Sequence, residues 1–298
     1  MLDPRRLAVL REFPARGTIA GAADALAFTP SAVSQQLSQL QRESGVRLFR
    51  KVGRRLELTD AGRTLVARAD ELLARMEEID AELAAQAEDV AGTLRVGAFQ
   101  TAASAIVIPA LDRLAESHPL LRVELVESEA EESLPALERG SFDVAIAEEY
   151  EHAPRPHSAR LRREYLEPDE MVLALPRGHP ATKRTRAVAL ASLQEIEWAA
   201  ANPDTAFGDM FARVCRAVGG FEPRIRHRVN EMALLLDVVA AGAAALVPAL
   251  GHPERDDRVA VRRIAEGPVA RAIFVAIRES DRARPSTAAV VAAMRPRG

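Results

Sequence analysis

Near the start of the chain, apolar residues fall at helical spacing in two short stretches separated by a break. Residues 18–26 predict a first helix, with Thr18 as N-cap and Ala22 and Ala23 small enough for a close crossing. Thr29 is the next N-cap, and Pro30 stands at the first helical position, where its missing N–H does no harm. From 30 to about 43, Val33, Leu37 and Leu40 share one face, and Ser31, Ser34, Gln35 and Ser38 share the other. Over 48–59 the period drops to two, with a turn at Gly53 whose tip gathers Arg50, Lys51, Arg54 and Arg55. A longer helix follows. Leu65, Ala69, Leu72, Met76, Ile79, Leu83 and Val90 step by three and four, with only Gln86 interrupting. Thr59 caps its start, and Gly92 is expected to end it.

From residue 93 short apolar strands alternate with amphipathic helices, an α/β pattern. Strands are predicted over 93–98, 122–128 and 143–147, and helices over 101–117 and 132–139. A second unit has strands over 170–176, 196–201, 224–229 and 244–248, with helices over 190–195, 205–217 and 231–241. A returning strand over 271–277 and a helix over 285–294 complete the pattern. The expected division is 1–60, 61–92 and 93–298. The last part splits into one lobe of about 93–163 with 268–298 and another of about 164–267.

Ligands of open α/β sheets sit beyond the carboxyl ends of strands, at helix N-termini. That rule selects Phe99, Gln100, Thr101 and Ser104 after the first strand. It selects Glu148 and Glu149 after the third, where the chain is expected to cross between lobes. In the second lobe it selects Asn202, Asp204 and Thr205 at one helix start, and Asn230 and Glu231 at another. Helix capping is an equal alternative for Thr101, Ser104 and Thr205, and residues 202–204 could form only a turn.

Charge divides the chain in the same place. Residues 1–60 hold ten Arg and Lys against six Asp and Glu, a net of +4, whereas the remainder carries −7. A basic N-terminal unit on a mildly acidic protein fits nucleic-acid binding through one face. Short hydroxyl and amide side chains on a helix suit the edges of base pairs in a major groove, and cations at a hairpin tip suit phosphates. A regular heptad seam favours a second copy as partner, and a two-fold dimer reads two half-sites. The longest apolar run, over 240–250, is broken by Gly and Pro and is far short of a membrane span. No secretory signal is predicted, and a single cysteine excludes a disulfide framework, so a cytoplasmic location is expected.

The run from Leu7 to Leu65 resembles the DNA-binding domain of LysR-type transcriptional regulators. The resemblance rests on Ala22-Ala23-Asp24-Ala25-Leu26, on Thr29 through Leu37 with Leu40, on Leu48-Phe49-Arg50-Lys51 with Arg54, and on Leu58-Thr59-Asp60-Ala61-Gly62. Lys51 departs from the family's usual Arg, keeping the charge but losing the bidentate fork, and Gln41 stands where Glu is common. In weaker form the likeness extends to the C-terminus through Val96-Gly97-Ala98, residues 137–146, Gly178-His179-Pro180 and Val239-Ala240-Ala241-Gly242. It implies a winged helix-turn-helix, a long linker helix and a two-lobed, periplasmic-binding-protein-like effector domain. It also implies a homodimer or homotetramer that binds double-stranded operator DNA under the control of a small-molecule effector, with no catalysis.

Helix N-termini that could bind an anion, with few Arg or Lys but the acids Glu148, Glu149, Asp204 and Glu231 among the cleft positions, point to an effector with an amine beside a carboxylate, such as an amino acid or its derivative, with a small organic acid as the alternative. No metal or cofactor is expected, because the six histidines are scattered; His118 and His179 each precede a proline and read as turn residues. Cys215 and Trp198 are expected in the core, and a lone cysteine lacks a resolving partner for redox sensing. A second reading stays open, in which the chain is a small-molecule-binding protein or enzyme and the N-terminal hairpin serves only assembly.

Overall fold

The computed structural model describes residues 2–26, 28–52, 55–86, 90–151, 154–155, 157–183, 186–203 and 205–296. Asp3 caps α1 (Pro4–Arg16) by accepting from the Arg5 N–H at 2.9 Å, and Gly17 ends the helix in the left-handed conformation. α2 (Ile19–Ala25) and α3 (Pro30–Ser44) follow at their expected places, with Thr29 Oγ1 accepting from Ala32 N–H. The wing is β1 (Phe49–Val52) paired antiparallel with β2 (Arg55–Leu58). Leu7, Leu10, Phe13, Val33, Leu37, Leu40 and Leu48 are buried together in one small core. α4 (Asp60–Ala84) starts at Thr59, whose hydroxyl accepts from the Gly62 N–H. A Cβ at Gly62 would lie 2.3 Å from the Leu48 carbonyl oxygen, so only glycine lets the linker helix cross the base of the wing.

α4 ends at Ala84, eight residues short of the expected stop at Gly92, which instead opens β3 with φ +110°. The last apolar step of the seam explains the difference: Val90 packs against the core of the next domain rather than extending the helix.

The larger domain is built on one curled sheet. β3 (Gly92–Ala98), β4 (Leu121–Glu127) and β5 (Val144–Tyr150) run parallel, with β3 in the middle. Between β3 and β4 a helical run comprises α5 (Gln100–Ala102), a π-helical turn (Ala103–Val107) and α6 (Ile108–Ser117), where one uniform helix was expected. α7 (Ala130–Glu138) leads into β5. The expected crossing after residue 147 does not occur: β5 continues to Tyr150, and the crossing belongs to β6 (Leu161–Pro176). One end of β6 pairs with the returning β12 (Val269–Arg278) and the other with β10 (Ala245–Pro248) and β11 (Val259–Ile264). The lobes thus share a single 16-residue strand. Pro168, opposite Ala272, sits where the register with β12 shifts, a tolerated place for proline in a sheet.

The second lobe adds β7 (Ala187–Val188), β8 (Glu197–Ala200), α8 (Ala206–Ala217), β9 (Arg224–Arg228) and α9 (Met232–Ala240). Trp198 and Cys215 are fully buried there, and Trp198 lies against Phe211 and Phe221. α10 (Pro285–Met294) packs back on the first lobe, and its bounds match the expected ones.

Candidate functional site

Two sites take shape. The first is the outer face of α3 with the wing. Thr29, Pro30, Ser31, Ser34, Gln35 and Ser38 are all exposed, while Val33, Leu37 and Leu40 hold the opposite face in the core. Gln41 ties helix to wing: its Oε1 accepts from the N–H groups of Leu48 at 2.9 Å and Phe49 at 3.2 Å. Arg50 and Lys51 are exposed on β1, Arg50 pairing with Glu57 at 3.1 Å. Arg47 adds a cation, missed in sequence, to the groove between α3 and β1. Arg55 opens β2, and Gly53 and Arg54 lie outside the described residues.

The second site is a chamber of ≈ 50 Å³ between the lobes, where the strand ends of β3, β5 and β12 meet the starts of α5 and α9. At its centre is Arg271, only 4% exposed. Its Nη2 lies 2.7 Å from Asp169 Oδ2 and donates to Thr101 Oγ1 at 2.7 Å, and the guanidinium sits 4.7 Å over the Phe99 ring. Glu148, buried, meets Arg155 at 3.3 Å, and burial drives its carboxyl above the usual range, with Arg271 and Arg155 opposing. Tyr150 lies two residues along the same face, its hydroxyl likewise pushed up by burial. Glu129, at the rim, is raised to about 7 by desolvation and then by the carboxylates of Glu148 and Glu131.

Side chains also bridge the lobes. Gln100 Nε2 donates to Glu231 Oε1 at 3.1 Å, and its Oε1 accepts from the Met232 N–H at 3.2 Å. Glu131 Oε1 accepts from the Ala206 N–H at 2.9 Å.

Family models decide what these sites belong to. The model described as LysR substrate binding domain matches residues 87–298, and that described as bacterial regulatory helix-turn-helix protein, lysR family, matches residues 4–63. The chain belongs to the LysR family. A "Probable hydrogen peroxide-inducible genes activator" of Mycobacterium xenopi is 34% identical over 183 residues, which span 60% of this chain and 94% of that protein. AlsR, an HTH-type transcriptional regulator of Bacillus subtilis (strain 168), is 29% identical over 225 residues, 74% of this chain and 72% of its own. Among solved structures, a full-length OxyR variant from Pseudomonas aeruginosa superposes with TM-score 0.73 at 17% identity, covering 99% of this chain and 95% of that one. CbnR in complex with its target DNA superposes with TM-score 0.57 at 24% identity, covering 98% of each. This LysR-family chain is a DNA-binding transcriptional regulator with an effector-binding domain, which displaces the reading of its N-terminal hairpin as a mere assembly device. No helix among its described residues is long and apolar enough to cross a membrane.

Within this LysR-family fold the expected effector residues part company. Phe99, Gln100, Thr101, Glu148 and Asn230 line the chamber. Ser104 and Glu231 line a wider adjoining cavity of ≈ 860 Å³, which Gln100 and Thr101 also border. Glu149 is turned away: it lies inside β5 rather than after it, and alternation along the strand sends it to Arg163 at 3.2 Å and the Tyr165 hydroxyl at 2.9 Å on the other face. Thr205 caps α8, accepting from the Gly208 N–H and donating to the Asn202 carbonyl, and Asn202 is held by Asn230 Oδ1 at 2.8 Å. Asp204 lies outside the described residues. The expected scarcity of cations is corrected by Arg271 and Arg155. Sequence reasoning also missed Asp169, Tyr150, Glu129 and Glu131.

The expected seam on α4 divides as well. Leu65 and Ala69 join the core of the DNA-binding domain, whereas Leu72, Met76, Ile79 and Leu83 are 40% to 62% exposed.

Proposed function

We propose that two copies of this regulator pair through the exposed stripe of α4, read a pseudo-palindromic operator with α3 and the wing, and hold their effector in the chamber around Arg271. The observation that carries the effector site is the chamber itself: Glu129, Glu148 and Tyr150 meet Arg271 there from across the sequence, beside the Gln100 and Glu131 bridges. An effector acts only through unequal affinity for open and closed arrangements, and these few bridges set that balance. Thr29, Ser31, Ser34, Gln35 and Ser38 face the bases in this reading, with Pro30 fixing the helix start, and Arg50, Lys51, Arg54 and Arg55 face the backbone. The setting is the bacterial cytoplasm, where the operator is.

Relatives named for peroxide induction raise a second reading, a thiol sensor, and Cys215 argues against it. It is the one cysteine of the chain, it is fully buried, and burial pushes its thiol up to about 12. Peroxide reacts with accessible thiolates.

The test is binding of the chain to DNA upstream of its own gene, titrated with salt against scrambled duplex. Two protected half-sites are expected, lost at high salt. Equal affinity for scrambled DNA moves the operator elsewhere, and no binding at low salt defeats the DNA reading.

A further inference from the structure

The chamber between the lobes is lined by two carboxyl groups, Glu129 and Glu148, and by one guanidinium, Arg271. Behind that lining, Asp169 stands on Arg271, and Arg155 on Glu131 and Glu148. Both cations are already engaged. Asp169 Oδ2 accepts from Arg271 Nε at 2.8 Å, and Thr101 holds the other side of the guanidinium. Arg155 bridges Glu131 at 2.9 Å and Glu148 Oε1 at 3.3 Å, and its Nε donates to the Glu148 carbonyl at 2.7 Å.

What is left unengaged is acceptor. Glu148 is 3% exposed, yet its Oε2 makes no hydrogen bond among the described residues. Tyr150 is 1% exposed, and its hydroxyl has only the Arg271 guanidinium beside it, outside good hydrogen-bonding geometry. Buried polar atoms are bonded as a rule, so two bare oxygens lining one cavity mark a place for a donor. The carboxyl groups do not form a metal site: among the described residues, no three His, Cys, Asp or Glu gather to hold an ion.

We propose that the effector carries a protonated amine, which sits in the chamber and donates to Glu148 Oε2 and the Tyr150 hydroxyl. This rests on the cleft being the effector site. An ammonium offers three donors and no acceptor, so it satisfies both oxygens, and its charge favours the ionised Glu148 against the burial that disfavours it. A carboxylate in its place would bring further acceptors to Glu148 Oε2, which already lacks a donor. Size agrees. About 50 Å³ takes an ammonium head and not a whole metabolite, while Gln100, Thr101 and Met232 border both this chamber and the cavity of ≈ 860 Å³. The carbon body of the amine therefore lies outward, past Gln100.

Calorimetric titration of the full-length chain with butylamine, putrescine and L-lysine, against butyrate and succinate, tests the assignment. At least one amine is expected to bind while the two carboxylates do not. Glu148→Gln, near-isosteric, is expected to weaken the amine about tenfold or more, and Tyr150→Phe by a smaller factor. Thermal melts confirm that both variants fold. Binding of butyrate or succinate that responds to Glu148→Gln overturns the amine and leaves the cleft standing. Binding that ignores Glu148→Gln, Tyr150→Phe and Gln100→Ala alike overturns the cleft as well. Silence of every amine at millimolar concentration overturns the proposal.

Discussion

At Glu129 the folded protein makes a measurable demand on protons. Its carboxyl is raised from 4.5 to about 7 by desolvation, then by Glu148 and Glu131, with Arg271 opposing and Glu127 adding a little. A raised carboxyl binds a proton more tightly folded than unfolded, so its contribution to stability is full below about pH 4.5 and is lost as pH rises through 7. Glu129→Gln removes the ionisation and keeps the shape. The variant is expected to gain stability relative to wild type as pH rises, and to be the more stable of the two at about pH 8. Urea denaturation of both proteins at about pH 5 and pH 8 checks it, and an equal difference at both values refutes the assignment. Single residues also show how much of the chamber could be read in advance. Phe99, Gln100 and Thr101 were legible because they follow a clear strand. Arg271 was not: it stands within an apolar strand, and its partner Asp169 is 102 residues away. Glu148 and Glu149 could not be separated, because ending the strand at residue 147 discards the alternation that sends them to opposite faces.

Among elements, helices with caps were legible and strands shared between lobes were not. Thr29-Pro30 and Thr59 fix the starts of α3 and α4 by local hydrogen bonds, which depend on neighbours in sequence. β6 carries Arg162, Arg163 and Glu164 in its first half and Pro168 beyond them, a polar run whose strand character comes from the distant β12. β11 escaped for a similar reason, its pairing with β6 spanning some eighty residues. The seam on α4 was legible as a period, yet a period does not say who the partner is. Leu65 and Ala69 found it within their own domain, while Leu72, Met76, Ile79 and Leu83 are left outward. If a second copy covers them, Met76→Glu with Leu83→Glu removes two apolar side chains per helix, each worth about 1.5–3 kcal/mol when fully buried. The dimer is then expected to weaken by at least about a hundredfold, with α4 itself intact. Sedimentation equilibrium reads the change, and an unaltered association state takes the stripe out of the interface.

Across the whole molecule, the DNA-binding domain is joined to the effector domain by more than the linker. Arg11 and Glu12 on α1 reach the first lobe, Arg11 donating to the Arg139 carbonyl at 2.5 Å and Glu12 pairing with the Arg139 guanidinium at 3.2 Å. Glu77 on α4 meets Arg278 Nε at 3.4 Å and accepts from the Ser280 hydroxyl at 3.3 Å. Arg278 in turn faces Asp143 and Asp281 and donates to the Leu137 and Phe142 carbonyls. Arg278 therefore anchors its own lobe as well as the joint. Its removal leaves the buried Asp281 without its ion-pair partner and takes a cation from Asp143 and Glu77, and Arg278→Ala is expected to destabilise the chain by about 3–5 kcal/mol. Glu77 separates the two roles, because it touches the lobe only from outside. Glu77→Gln is expected to leave the lobe folded while loosening its hold on α1 and α4, raising amide hydrogen exchange around residues 11–13 and 139–141. A chain whose exchange at those positions matches wild type has its joint elsewhere. Movement of the lobes would then reach the operator through α4 alone. If exchange rises, the charge cluster is the contact that holds the first lobe against α1 and α4.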